Sequence, residues 1–331
     1  MTIPVVDYHC DVLSKMVKDN SISFADDPKL DVTYKRLQEG GVALQTFAIF
    51  LSEERGIPRF EHILDQIDVF TSRVVPVQEG VRWMKWREDA ASLEHSMKAA
   101  EQLPLQSHAL QPWGLLSVEG ADGFEGNLYY VKVCYDLGVR FLGITWNHAN
   151  WAADGVMEKR KGGFTEKGKQ LIELCNETGL LLDVSHLSEA GFWELAERSK
   201  RPFIASHSNA KAVCPHPRNL NDEQIRAIAA MDGRIGITFV PYFVKEGPGP
   251  VVPADVLPHI ERMCEQGAGN MLMFGSDFDG IETWIQDLEH PGRYPAFIDL
   301  LLARYPEDLV KGWMSGNALS FLSRHLPAKP V

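Results

Sequence analysis

Leu180-Leu181-Leu182-Asp183-Val184-Ser185-His186 and Pro202-Phe203-Ile204-Ala205-Ser206-His207 are two short apolar runs, each halted at a histidine and separated by a helix-length segment. Their nearly unbroken apolar character suits strands covered on both faces, as in a parallel sheet wrapped by helices. The segment before the first run reads as one of those helices. Thr165 stands at its cap, Leu171, Ile172, Leu174 and Cys175 follow at helical spacing, and Gly179 supplies the stop. A second helix begins near Asn221, where Gln224 completes a capping box and Ile225, Ile228 and Ala229 mark the inward face.

The same alternation extends in both directions. Further strand-like runs cover Pro4 to Val12, Val42 to Phe50, Leu115 to Ala121, Val139 to Thr145, Arg234 to Val240 and Met271 to Ser276, which with Leu180 to Ser185 and Pro202 to Ser206 makes eight. Helical patterns between Arg59 and Leu103 make the second crossover long, and Gly247 to Pro253 reads as an exposed loop. No linker, low-complexity tract or internal repeat divides the chain, and no glycine-rich dinucleotide fingerprint follows the first run. The expected fold is an α/β (β/α)8 TIM barrel spanning residues 1–331 as one domain.

Composition narrows the function. With 331 residues, 45% hydrophobic and 24% charged, the chain reads as an ordinary globular protein. A net charge of -12 and the lack of any lysine- or arginine-rich block argue against nucleic acid or an anionic membrane as partner. The partner is expected to be small. Met1-Thr2-Ile3-Pro4 leads straight into an apolar segment without a basic region or cleavage site, and no uncharged stretch reaches the roughly 20 residues of a membrane span. Five cysteines (Cys10, Cys134, Cys175, Cys214, Cys264) lack CxxC spacing, so they read as free thiols in a reducing cytoplasm.

The ends of the runs carry the chemistry. In Asp7-Tyr8-His9-Cys10-Asp11, strand alternation turns His9 and Asp11 to one face. Glu119, His186, His207 and Asp277 each follow directly on other apolar runs. In a barrel these carboxyl-terminal strand ends converge on one site. Three imidazoles and three carboxylates gathered there are costly to bury without a cation. The donor set favours zinc and also admits manganese, iron or cobalt. His9, Asp11 and Glu119 are expected to hold one ion and Glu119, His186 and His207 a second, about 3.5–4 Å apart with the glutamate shared. Asp277 is then the group placed to take a proton from water and return it to a leaving amine. Asp279, in an Asp-Gly context, reads as a turn former or supporting hydrogen-bond partner. Trp146, Trp151, Phe239 and Tyr242 lie near strand ends and are candidates to wall the pocket.

In the order His9-Cys10-Asp11, Val118-Glu119-Gly120, Asp183-Val184-Ser185-His186, Ser206-His207-Ser208, Pro217-Arg218-Asn219 and Gly275-Ser276-Asp277-Phe278-Asp279-Gly280, the chain resembles the membrane (renal) dipeptidase family, peptidase family M19, of the amidohydrolase superfamily. The resemblance implies a binuclear zinc dipeptidase with two Zn2+ bridged by Glu119 and proton handling by Asp277. It also implies that Arg218 grips the free carboxylate of a dipeptide, tolerance of a C-terminal D-residue, and a homodimer. A planar guanidinium suits that grip. In one departure, Trp146 stands where family members often carry a histidine that contacts the scissile carbonyl, and His148 is the candidate to replace it as substrate-binding and catalytic donor. The alternative is a metal-dependent hydrolase of another amide, lactone or phosphoester, since one barrel hosts many reactions.

Overall fold

Apolar runs too short to be helices and too apolar to leave a face in water pair edge to edge until no edge remains. The structure, a computed structural model, describes residues 3–52, 56–78, 80–100 and 110–330. Its strands are β1 (Val5–Asp7), β2 (Val42–Phe50), β3 (Arg82–Trp83), β4 (Trp113–Glu119), β5 (Val139–Gly143), β6 (Leu181–Asp183), β7 (Ile204–Ala205), β8 (Arg234–Ile237) and β9 (Leu272–Phe274). All run parallel in the order β2-β1-β9-β8-β7-β6-β5-β4, and β2 pairs with β4 from Leu44↔Trp113 to Phe50↔Glu119. That last pairing closes a (β/α)8 barrel. The eight expected strands form it, and β3, unforeseen, is a two-residue pairing at the start of β4.

The helices begin and end where their caps direct. Thr165 Oγ accepts from the Gly168 N–H, and Gly179, at φ 84°, ends that helix with its N–H on the Cys175 carbonyl. Asn221 and Gln224 form the reciprocal capping box. The long second crossover holds helices Phe60–Val69 and Arg87–Ala100, while Leu103 lies outside the described residues. All five cysteines are free, and only Cys264 is exposed. Among the described residues no helix is long and apolar enough to cross a membrane.

Two apolar layers result. Inside the barrel, Val6, Tyr8, Leu44, Leu115, Phe141, Leu181, Ile204 and Met273 pack on Leu319, Phe321 and Leu322 of the last helix, Asn317–His325. That helix plugs the floor, since Tyr8 OH donates to the Ala318 carbonyl and Phe141 stacks on Phe321 at 6.4 Å. A filled floor leaves the opposite, carboxyl-terminal mouth as the place for chemistry.

Candidate metal centre

Strand register brings the mouth residues together. Phe50, Glu119, Gly143, Asp183 and Ile204 are successive Cα partners around β2, β4, β5, β6 and β7, so they mark one level of the barrel. Trp146, His186 and His207 each lie three residues beyond that level, on chain that has left the ladder. On the far side Asp7 pairs with Phe274, which puts His9 and Asp277 just above. The buried Asp7 carboxylate fastens this seam by accepting from Ser276 N (2.9 Å), Ser276 Oγ (2.7 Å), Tyr294 OH (2.9 Å) and His9 N (3.2 Å).

The six expected groups meet. Glu119 faces two sets with its two oxygens: Oε2 lies 3.4 Å from His9 Nε2, while Oε1 lies 2.7 Å from His186 Nε2 and 3.7 Å from His207 Nε2. His9 Nε2 is also 3.3 Å from Asp11 Oδ2 and 3.6 Å from Asp277 Oδ1. The donor atoms of His9, Glu119 and His207, and those of His9, Asp11 and Asp277, form two groups compact enough for an ion.

A supporting layer decides which imidazole nitrogen each histidine presents. His186 Nδ1–H donates to Asn147 Oδ1 at 3.0 Å. His207 Nδ1–H donates to Ser206 Oγ at 2.7 Å, and Ser206 Oγ–H donates onward to Asp183 Oδ2. Both Nε2 atoms therefore carry lone pairs, yet they stand 2.9 Å apart. Two facing lone pairs at that separation repel unless a cation lies between or beside them. His9 Nε2 and Asp11 Oδ1 are also buried without a hydrogen-bond partner among the described residues. These residues fit a divalent metal: imidazole and carboxylate donors, converging, desolvated and unsatisfied.

Electrostatics separate the three imidazoles: burial opposes protonation of His9, but Glu119 and Asp11 outweigh it and hold it well above the usual imidazole range, whereas the other two go down. Burial, and then the charge of Arg218, pushes the His186 imidazole down to about 4, and burial with neighbouring His9 holds His207 well below the usual range. Both are in the neutral, ligating form. Burial opposes ionisation of Glu119, but the neighbouring His9 outweighs it and holds its carboxyl well below the usual carboxylate range. Asp277 goes the other way. Burial lifts its carboxyl well above the ordinary value and Asp11 and Glu119 add to the lift, against His9 and Arg218. Asp277 and Asp279 both sit at φ 68°, bending the chain sharply after β9. Asp279 holds that bend, accepting from Lys15 Nζ (2.9 Å), Asp31 N (2.8 Å) and Val32 N (2.9 Å).

A cavity of about 720 Å³ opens over these groups. Arg218 lines it, only 3% exposed, with NH2 on the His207 carbonyl at 3.4 Å and its guanidinium 5.4 Å from the Phe243 ring centre. Its Nε and NH1 have no partner among the described residues, and burial pushes it down to about 10. The structure places His148 apart from this group: it is exposed and is not among the residues that line the cavity. Asn147 lines the cavity instead. Of the aromatic candidates, Trp146 and Tyr242 line it, whereas Trp151 is tied by Nε1 to the Ala121 carbonyl (2.6 Å) and Phe239 is buried among Phe274, Phe278 and Phe297. The Asp183–Ser206–His207 chain, Asn147 and Phe50 escaped sequence reading. Register with Glu119 was the signal for Phe50.

A closed parallel barrel with converging imidazoles and carboxylates at its carboxyl-terminal mouth defines the class of metal-dependent barrel hydrolases. Residues 1–325 match the family described as membrane dipeptidase, peptidase family M19, and the chain belongs to it. It is thus an enzyme of metallo-dipeptidase type. Among relatives, dipeptidase aclJ of Aspergillus oryzae is 33% identical over 213 residues, covering 63% of this chain and 50% of that protein. An uncharacterised protein of the pqqA 5' region of Klebsiella pneumoniae is 35% identical over 204 residues, 58% of this chain and 74% of that one. Among solved structures, the M19 metallopeptidase dipeptidase AC superposes with a TM-score of 0.85 at 26% identity, covering 99% of this chain and 100% of its own. A Rhodobacter sphaeroides metallopeptidase, solved with a phosphinate mimic of L-Ala-D-Ala, gives 0.84 at 26% identity over 98% of this chain and 100% of its own.

Proposed function

We propose that this chain is a binuclear zinc dipeptidase that hydrolyses free dipeptides, including those with a C-terminal D-residue. The observation that carries the reading is Glu119, whose two carboxylate oxygens face two donor sets: His9 on one side, His186 and His207 on the other. His9 with Asp11 would hold one ion and His186 with His207 the other, Glu119 being shared. Bound divalent ions supply Lewis-acid polarisation of a carbonyl and ease the loss of a proton from water.

The remaining work belongs to side chains. Arg218, desolvated and with two N–H edges unused, is suited to hold the substrate's terminal carboxylate bidentately, which reports that the peptide ends there. Asp277, which lines the cavity with Oδ1 3.6 Å from His9 Nε2, takes a proton from the attacking water and delivers it to the leaving amine. Supporting the D-residue is the likeness to the Rhodobacter sphaeroides enzyme, whose bound mimic carries that stereochemistry.

The test is a substitution that separates binding from chemistry. Arg218→Met should raise KM for free dipeptides and lower kcat/KM by about 100-fold or more, the scale of a lost charge-assisted bidentate pair. Dipeptide amides, which lack the carboxylate, should be cut equally by both proteins. Unchanged dipeptide kinetics in the variant would point to another amide or ester as the substrate.

A further inference from the structure

The cavity walls differ from one another, and this difference bears on which dipeptides enter. Arg218 comes from the chain after β7, with Phe243 of the next connection packed against its guanidinium. Around the ring the position opposite β7 is β2, whose last residue is Phe50. Phe50 is the Cα partner of Glu119 on β4, so its side chain leaves the sheet on the same, inward side as the shared carboxylate. The Trp146 ring lies 5.3 Å from that of Phe50 and 6.3 Å from that of His186. Met157 lies on the loop beside Trp146, its N–H donating to the Asn147 carbonyl at 2.8 Å. All three line the cavity and none is fully buried. A large apolar face is thus open to the site beside Glu119 and away from Arg218.

Resting on the dipeptidase reading, we infer that Phe50, Trp146 and Met157 form the side-chain subsite for the N-terminal residue and select dipeptides that begin with an aromatic or large aliphatic residue. A peptide whose carboxylate is held by Arg218 and whose scissile bond lies over Glu119 must direct its first residue toward this wall. A flexible thioether beside two aromatic rings receives rings and branched chains alike. Polar first residues would lose hydration against these three side chains, whose one strong donor is the indole N–H, with Ser52 and Asn147 the polar groups flanking them in the cavity lining.

The experiment compares Phe-Ala, Leu-Ala, Ala-Ala, Gly-Ala and Glu-Ala on the zinc-loaded wild-type protein and on Trp146→Ala and Phe50→Ala, each checked for folding by its melting temperature. Wild-type kcat/KM should rise from Gly-Ala to Phe-Ala by about tenfold or more, the scale of burying one large apolar side chain. Each variant should compress that ratio several-fold, mainly through KM. A flat panel, or preference for Gly-Ala or Glu-Ala, overturns the inference and leaves the dipeptidase reading intact. Failure to cut any of the five overturns both. The wild-type panel decides even if a variant does not fold.

Discussion

An imidazole offers a metal the nitrogen that its other nitrogen's hydrogen bond leaves free, and here the choice is made outside the ligand set. Asp183 holds Ser206, Ser206 holds His207, and Asn147 holds His186. Ser206→Ala should therefore weaken zinc binding by about 10–100-fold, read by competition with a chelator, and leave folding of the zinc-saturated protein intact. Asp183 and Ser206 stand within motifs that carry the family resemblance, but their supporting role was not legible, because a serine or asparagine next to a histidine is too common to signal one. The proposed ligands themselves were legible, since an ionisable side chain directly after an apolar run has few reasons to be there. The role read for His148 depends on the loop after β5 bending toward the metals, and beyond Gly143 that loop brings Asn147 rather than His148 to the cavity.

Between strands, small residues and anchored loops set the shape of the mouth. A Cβ on Gly236 or Gly275 would lie 1.8 or 1.9 Å from the Ser206 carbonyl oxygen, so the chain leaving β7 can pass this close to β8 and to the end of β9 only because both positions lack side chains. Gly236→Ala should cost about 1–3 kcal/mol by denaturant unfolding and weaken zinc retention by moving Ser206. The loops after β7 and β8 share another anchor. Buried His259, on the helix Leu257–Glu265, accepts from the Ala210 N–H at 3.0 Å and donates from Nε2 to the Val244 carbonyl at 2.9 Å. That arrangement requires the neutral ring, and burial lowers its affinity for a proton. As pH falls below the free value of about 6.5, the unfolded chain takes up this proton before the folded one. The contribution is therefore complete above that pH and lost below it. Between about pH 7.5 and pH 5.5 the melting temperature of wild type should drop more than that of His259→Gln, and equal drops would exclude His259 as a source. The eight barrel strands were readable because burial on both faces makes them apolar throughout. Their ends were read too long, since the residues that leave the ladder to build the site continue the apolar runs. The pair Arg82–Trp83 escaped because two residues, one exposed and one half-buried, carry no pattern.

At the scale of the whole molecule, floor and mouth are built from different residues and should fail separately. Phe321, fully buried beneath Phe141, belongs to the plug. Phe321→Ala should cost about 3–5 kcal/mol by denaturant unfolding while leaving kcat at temperatures well below melting unchanged. The mouth depends on metal. Zinc content and dipeptide hydrolysis, followed together while chelated protein is titrated back with zinc, bear most directly on whether Glu119 is shared between two ions. Hydrolysis should be absent after chelation and reach its full rate only at about two zinc ions per chain. Full activity at a single equivalent, or activity persisting in the chelated protein, would contradict a binuclear centre.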